Sequence, residues 1–301
     1  YYPSIMIRYN FLTRNCEDKK KFKQVYDKRV ELKKAGKKKE QEPYKIILNS
    51  TYGICKDKYS SAYDPRQANN VCVNGQLMLL DLIEHLENHC RLIQSNTDGL
   101  IIEIEDNEKS YNRVVSICNE WEERTGMGLG FDEISEIFQG DVNNYLFKFT
   151  NGKLERKGAY VMELDDLNND LPIVNTAIVN YLTENKSVEE TINNCDELKQ
   201  FQKIIKVSSN YSFGWHNGKC LSSKTFRVFA SKDSQDTYIG KCKYEGATIE
   251  KFANTPEKCF IDNSEVNGKN IPDKLDKSWY IDLANERLSK KFGVKTGIEL
   301  W

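Results

Sequence analysis

Lys45-Ile46-Ile47-Leu48-Asn49-Ser50-Thr51-Tyr52-Gly53 is the stretch on which the reading of the fold turns. On a helix, Lys45, Asn49 and Tyr52 stand at i, i+4 and i+7, which is one face, while Ile46 and Ile47 can turn toward a core. Asn, Ser and a closing Gly are poor helix-interior residues. The short polar side chains compete for backbone hydrogen bonds, and Gly loses the most entropy on ordering. A segment that breaks local rules along one face often does so for a site. A cation, an amide and a phenol in a row can hold a phosphate, a sugar and a base edge. An amphipathic helix with a frayed end accounts for the same residues, and taken alone they leave both open.

Working outward, Pro43 sits where a new helix over 44–54 can begin, because proline is tolerated in the first helical turn. Upstream, residues 17–35 have helix-forming composition, with Gly36 as the C′ residue. Two helices with a short polar link predict an antiparallel αα-hairpin. Lys19, Lys20, Lys21, Lys23, Lys28, Arg29, Lys33, Lys34, Lys37, Lys38 and Lys39 make this region strongly positive. The whole chain balances 44 basic against 45 acidic residues, so a local patch rather than global charge is what could meet phosphates. Arg29 and Lys33 stand at i and i+4, where like charges repel. An anion between them would relieve that repulsion, and with Lys45 they would clamp a polyphosphate. A solvated surface helix explains the same charges without a ligand.

Residues 4–12, just after Pro3, are apolar and β-prone and predict a strand. Residues 67–89 carry helical periodicity. Arg91–Gln94 and Leu100–Glu105 read as strands around Ser95-Asn96-Thr97-Asp98-Gly99, since Asp-Gly between apolar runs signals a hairpin. Asp98 would lie at its tip, where a carboxylate can take Mg²⁺, although bare Asp-Gly turns are common. Residues 108–124 read as helix and 128–162 as further strands, with Asn151-Gly152 as a turn. Asp165–Asp170 reads as an acidic joint, followed by helices over 173–184, 188–194 and 196–205, a mixed region, and a last helix over 278–291. The fold class is α+β.

The chain has 301 residues and no run approaching 18 apolar positions, so no membrane helix is expected. It shows no signal-peptide pattern. It opens on Tyr1-Tyr2-Pro3-Ser4 without Met and reads as a piece of something longer. Nine dispersed cysteines without a CxxC pair read as free thiols in a reducing compartment, with no zinc site. His85 and His89 frame His-Leu-Glu-Asn-His rather than HExxH, and no third ligand is in view.

In chain order, Tyr1-Tyr2-Pro3-Ser4-Ile5, then Lys45-x3-Asn49-Ser50-x-Tyr52-Gly53, then Asn96-Thr97-Asp98-Gly99, then Lys157-Gly158-Ala159-Tyr160 resemble the motifs of family B DNA polymerases, particularly those of bacteriophages. The fingers motif Lys-x3-Asn-Ser-x-Tyr-Gly is matched in full. The metal-site motif Tyr-x-Asp-Thr-Asp-Ser is matched with departures at Gln94, Asn96 and Gly99. The resemblance is strong over 1–162 and faint afterwards, at Thr225–Ala230 and Trp279-Tyr280-Ile281.

The resemblance implies an antiparallel palm sheet with helices (1–10 and 54–162), helical-hairpin fingers (11–53) and a mixed thumb-like C-terminal region (163–301). It implies DNA-directed nucleotidyl transfer from a dNTP to a primer 3′-hydroxyl, with two Mg²⁺ ions in the intact enzyme and primer–template DNA as partner. Tyr2 would stack under the incoming sugar and exclude a 2′-hydroxyl, and Tyr1 would hold the triphosphate through its backbone N–H. Lys45, Asn49, Arg29 and Lys33 would bind the triphosphate. Tyr52 and Gly53 would line the nascent base pair. Asp98 would be the catalytic, metal-ligating carboxylate, with Asn96 and Thr97 in support, and Lys157 and Tyr160 would contact the primer–template. The family's first metal-binding Asp would lie four residues before Tyr1 and is absent from this chain.

Only 43 positions separate Tyr2 from Lys45, so the fingers would be minimal, and the interval from Gly53 to Asp98 is also short. That favours ordinary primer extension over terminal-protein priming. No Asp-x-Glu exonuclease motif lies in a suitable strand. No oligomer is expected, and the implied setting is the cytoplasm of a bacterial cell, phage- or prophage-encoded. Two rivals stay open. One is a polymerase-like relic that binds nucleic acid without chemistry. The other is an RNA-dependent or primase-type palm enzyme, against which the ring of Tyr2 argues.

Overall fold

The computed structural model describes residues 1–164 and 169–294. The chain falls into two compact units, Tyr1–Phe131 and Asp132–Trp301. Segment 132–162, read from sequence as palm, therefore belongs to the second compact unit.

The first unit runs α1 (Tyr2–Arg8), α2 (Lys19–Lys34), α3 (Lys38–Ile54), α4 (Pro65–Leu86), β1 (Arg91–Asn96), β2 (Gly99–Glu103) and α5 (Glu108–Thr125). The strand expected over 4–12 is instead α1. Pro3 falls in the first helical turn, where its missing N–H is not needed. Ile5 and Met6 are then buried against Val71 and Leu82 of α4 and Trp121 of α5. That long-range burial overrides the weak β preference of the segment. Trp121 is 1% exposed, and its indole N–H donates to the Met78 carbonyl at 2.9 Å.

The α2–α3 hairpin forms as predicted. Asp18 starts α2 by accepting the Lys20 N–H at 3.0 Å. At the other end Gly36, with φ +72°, takes the left-handed C′ position. Its N–H donates to the Lys33 carbonyl at 3.1 Å and that of Lys37 to the Leu32 carbonyl at 3.0 Å, a Schellman motif. Helix α3 begins at Lys38, so Pro43 lies inside it rather than at its start. The leading turn is held by the Lys37–Glu40 ion pair at 3.1 Å and by the Gln41 N–H donated to the Lys37 carbonyl at 3.1 Å.

Helix α4 is capped by Asp64, which accepts the Gln67 N–H at 3.4 Å. The same buried carboxylate accepts from Nε, Nη2 and the backbone N–H of Arg14 at 2.9, 2.8 and 2.9 Å. Those bonds from Arg14 hold the Asp64 carboxyl well below the usual carboxylate range. Strands β1 and β2 pair antiparallel with Asn96 opposite Gly99, so the loop is Thr97-Asp98, one residue earlier than the Asp-Gly pair suggests.

The second unit runs β3 (Ile134–Asp141), β4 (Asn144–Phe149), β5 (Leu154–Lys157), α6 (Pro172–Glu184), α7 (Val188–Asn193), a 3₁₀ turn (Leu198–Phe201), β6 (Lys203–Lys206), β7 (Phe213–His216), β8 (Lys219–Leu221), β9 (Thr225–Ala230), β10 (Gly240–Cys242), β11 (Glu250–Lys251), β12 (Cys259–Ile261) and α8 (Lys277–Phe292). Its sheets have the orders β3-β4-β5, β12-β9-β6 and β11-β10-β7-β8. The strands predicted between 54 and 162 thus form two separate sheets, β1-β2 and β3-β4-β5. The helix expected over 196–205 is instead the 3₁₀ turn and β6. Ile204 and Ile205 pair with Arg227 and Phe226 of β9, and sheet pairing of these β-branched residues wins over helical composition. Of the acidic joint, 165–168 lie outside the described residues. Asp170 beyond them binds the Lys203 ammonium and the Ile204 N–H, each at 2.7 Å. Leu146, Val174, Ile178, Phe201, Phe229 and Tyr280 anchor the core of this unit. Among the described residues no helix is long and apolar enough to cross a membrane.

Candidate functional site

Where α1 meets α4 and the end of α3, the first unit brings together three of the sequence-predicted site residues, Tyr1, Tyr2 and Tyr52. Tyr1 caps α1, and its hydroxyl donates to the Gly75 carbonyl of α4 at 2.8 Å. A Cβ on Gly75 would stand 3.3 Å from the Tyr1 ring and from Ile5, so the lack of a side chain is what admits α1 this close. Tyr2 lies beside Tyr52 of α3, with ring centroids 4.7 Å apart at 57°. The Tyr52 hydroxyl hydrogen-bonds the Cys72 thiol of α4, and the Lys56 ammonium stands 4.6 Å over the Tyr52 ring. Burial pushes both Tyr1 and Tyr2 phenols up to about 12; Cys72 contributes at Tyr2, and the Asp98 carboxylate contributes at both.

Asp98 is exposed on its two-residue loop. The Asn96 amide oxygen is taken up within that turn, accepting the Thr97 N–H at 2.7 Å and its hydroxyl at 3.3 Å. Asn96 and Thr97 thus shape the turn that presents Asp98.

Along the hairpin, half-buried Arg29 donates from Nε to Gln41 at 3.2 Å, and Lys33 is exposed. Lys45 pairs with Glu42 at 3.0 Å, an exposed contact of the kind worth roughly 0–1 kcal/mol and readily exchanged for a stronger anion. Asn49 and Gly53 are exposed on α3, and no atom stands within 4 Å of where a Gly53 Cβ would lie.

Lys157 and Tyr160 belong to the second unit. Lys157 ends β5 opposite Tyr145, with its ammonium 5.7 Å over the Tyr145 ring. Tyr160 carries Arg287 of α8 at 4.7 Å and Lys291 at 5.8 Å over its ring. Between them Gly158 has φ +97°, and a Cβ there would stand 2.6 Å from the Asn143 carbonyl. Only glycine fits the turn that carries Tyr160.

Sequence reasoning missed Cys72 and Arg14–Asp64, which carry no local signature. Gly75 left one, a glycine inside a leucine-rich helix, the usual mark of a close approach. Among the described residues no group of three His, Cys, Asp or Glu side chains could hold a metal ion.

No protein-family model matches the chain. It is 23% identical over 201 residues to "DNA polymerase 1" of Sulfurisphaera ohwakuensis, an alignment covering 64% of this chain and 21% of that protein. The likeness is distant, it is to a DNA polymerase, and the aligned part of the chain spans about a fifth of that relative's length.

Proposed function

We propose that the chain is the catalytic portion of a DNA-directed DNA polymerase of family B, phage type, with palm, fingers and thumb-like parts as read from its sequence. It would transfer a nucleotide from a dNTP to a primer 3′-hydroxyl on a DNA template. The observation that supports this reading is the cluster of tyrosines at α1, α3 and α4, where the Tyr2 and Tyr52 ring centroids are 4.7 Å apart and the neighbouring Tyr1 hydroxyl donates to the Gly75 carbonyl. Grouped phenol rings offer a surface on which a sugar or a planar base can pack.

In this reading Arg29, Lys33 and Lys45 hold the triphosphate by charge-assisted hydrogen bonds, and Asn49 adds an amide contact. Tyr2 packs against the sugar and Tyr52 against the nascent pair. Positioning and electrostatics supply the rate enhancement, as in phosphoryl transfers generally. Asp98 offers the hard oxygens that Mg²⁺ prefers. No group of three candidate ligands occurs among the described residues, so this donor set does not by itself hold the two ions the resemblance implies. The roles given to the chain's own residues are therefore binding and orientation. Asn96, standing where the resembled motif has an acid, supports the second reading, a polymerase-like portion that binds nucleic acid without chemistry.

Primer extension tests both. The chain is expected to bind primed DNA with an affinity that falls steeply with salt. It is expected to extend the primer slowly, and only with Mg²⁺ or Mn²⁺. Asp98→Asn should abolish extension while leaving binding within about two-fold, because an exposed loop carboxylate contributes little to duplex affinity. Undiminished extension by the variant overturns the site assignment; binding with no extension by the parent chain selects the second reading.

A further inference from the structure

Cys72 is the point at which α4 touches both rings of the site. Its sulfur hydrogen-bonds the Tyr52 hydroxyl, lies 4.0 Å from the Tyr2 hydroxyl oxygen, and receives the Lys56 ammonium at 3.8 Å. Gly75, which accepts from Tyr1, is three residues further along, so Cys72 and Gly75 share one face of α4. A thiol can donate its one hydrogen to the Tyr2 oxygen while accepting from the Tyr52 hydroxyl and the Lys56 ammonium. The three donors and acceptors around the sulfur match that capacity. Both rings are thereby tied to a single atom, and neither can swing without breaking a contact to it.

We propose that Cys72 is a positioning residue that fixes the rings of Tyr2 and Tyr52 and so sets the discrimination between deoxyribonucleotides and ribonucleotides. The proposal rests on reading this site as a nucleotide pocket. A ring excludes a 2′-oxygen only while it is held in place, and displacement on the order of 0.5 Å or 10–20° is enough to spoil such a constellation. Valine at position 72 adds one methyl group and removes every polar contact. Serine keeps the hydrogen bonding with a smaller atom.

The test compares the parent chain with Cys72→Val and Cys72→Ser in single-nucleotide extension of primed DNA with Mn²⁺. The readout is the ratio of kcat/KM for a dNTP to that for the matching rNTP. Cys72→Val is expected to lower the ratio by about 3- to 10-fold, the scale of one lost hydrogen bond at each ring. Cys72→Ser should stay within about 2-fold, since its hydroxyl has the same donor and acceptor capacity. An unchanged ratio in Cys72→Val overturns the proposal.

A second measurement does not need turnover. Alkylation of Cys72 by iodoacetamide, read by peptide mass, should be slowed in the parent chain by primed DNA with the four dNTPs and quickened by Tyr52→Phe. Extension by the parent with a Cys72 that responds to neither overturns the proposal and leaves the polymerase reading standing. Absence of both extension and nucleotide protection overturns the polymerase reading and this proposal with it.

Discussion

Gly158→Ala should destabilise the second unit through two separable effects. The residue has φ +97°, and an L side chain in the left-handed half of conformational space costs about 1–2 kcal/mol. The new Cβ would also stand 2.1 Å from the Asn144 side-chain oxygen and 2.6 Å from the Asn143 carbonyl. The amide can rotate away, but the carbonyl belongs to the β3–β4 turn, and such overpacking costs about 1–3 kcal/mol. The sum is about 2–5 kcal/mol, which lowers Tm by roughly 5–15 °C for a unit of this size. Gly152→Ala is the control, because Gly152 has φ +79° with no atom within 4 Å of its Cβ position. It should show the backbone effect alone. The Gly158 carbonyl also accepts from Val161 and Met162 at 3.3 and 3.0 Å, so its displacement moves the turn bearing Tyr160 and should weaken binding to primed DNA. Thermal unfolding followed by far-UV circular dichroism compares the two variants. Equal losses in both would mean that Asn143 does not crowd Gly158, and the reasoning fails.

Tyr2 lies beside Tyr52, and on the proposed reading, in which its ring excludes a 2′-hydroxyl, Tyr2→Ala should raise ribonucleotide incorporation; an unchanged dNTP preference in primer extension removes that role. Asp64→Asn should destabilise the chain at neutral pH. Since the Asp64 carboxyl is held below its ordinary range, its contribution is present above about pH 4 and fades as acid protonates it, so in urea titrations the gap between parent and variant should close toward low pH. Trp121→Ala removes the largest buried ring of the first unit and should cost about 3–5 kcal/mol in denaturant unfolding. Lys157→Ala should reduce the slope of log affinity against log salt by about 1 if its exposed ammonium meets one phosphate.

What could be read from sequence was what short-range physics decides. The α2–α3 hairpin was legible because its cap at Asp18 and its exit at Gly36 are local devices. The β1–β2 hairpin was legible because apolar runs flank a turn. Helix α1 was not, because its state is decided by Gly75 and Trp121, which the chain brings in from far along its length. The segment 196–205 was misread for the same reason, since β9 is its partner. The order of the motifs pointed to Tyr1, Tyr2, Tyr52 and Asp98, and of these the structure brings the three tyrosines together. Nothing local marked Cys72, whose importance comes only from what surrounds it.

Pro43 gives the lysine-rich hairpin an unequal pair of ends. With no N–H to offer the Lys39 carbonyl, it leaves a missing rung between the first turns of α3 and the body that buries Leu48. Amide exchange should therefore be quick from Lys38 to Glu42 and slow around Leu48. The first turns of α3 and the shaft that buries Leu48 are thus two segments with separate hydrogen-bond ladders, so a change at the lysine-rich tip need not be transmitted to Tyr52 at the shaft's other end.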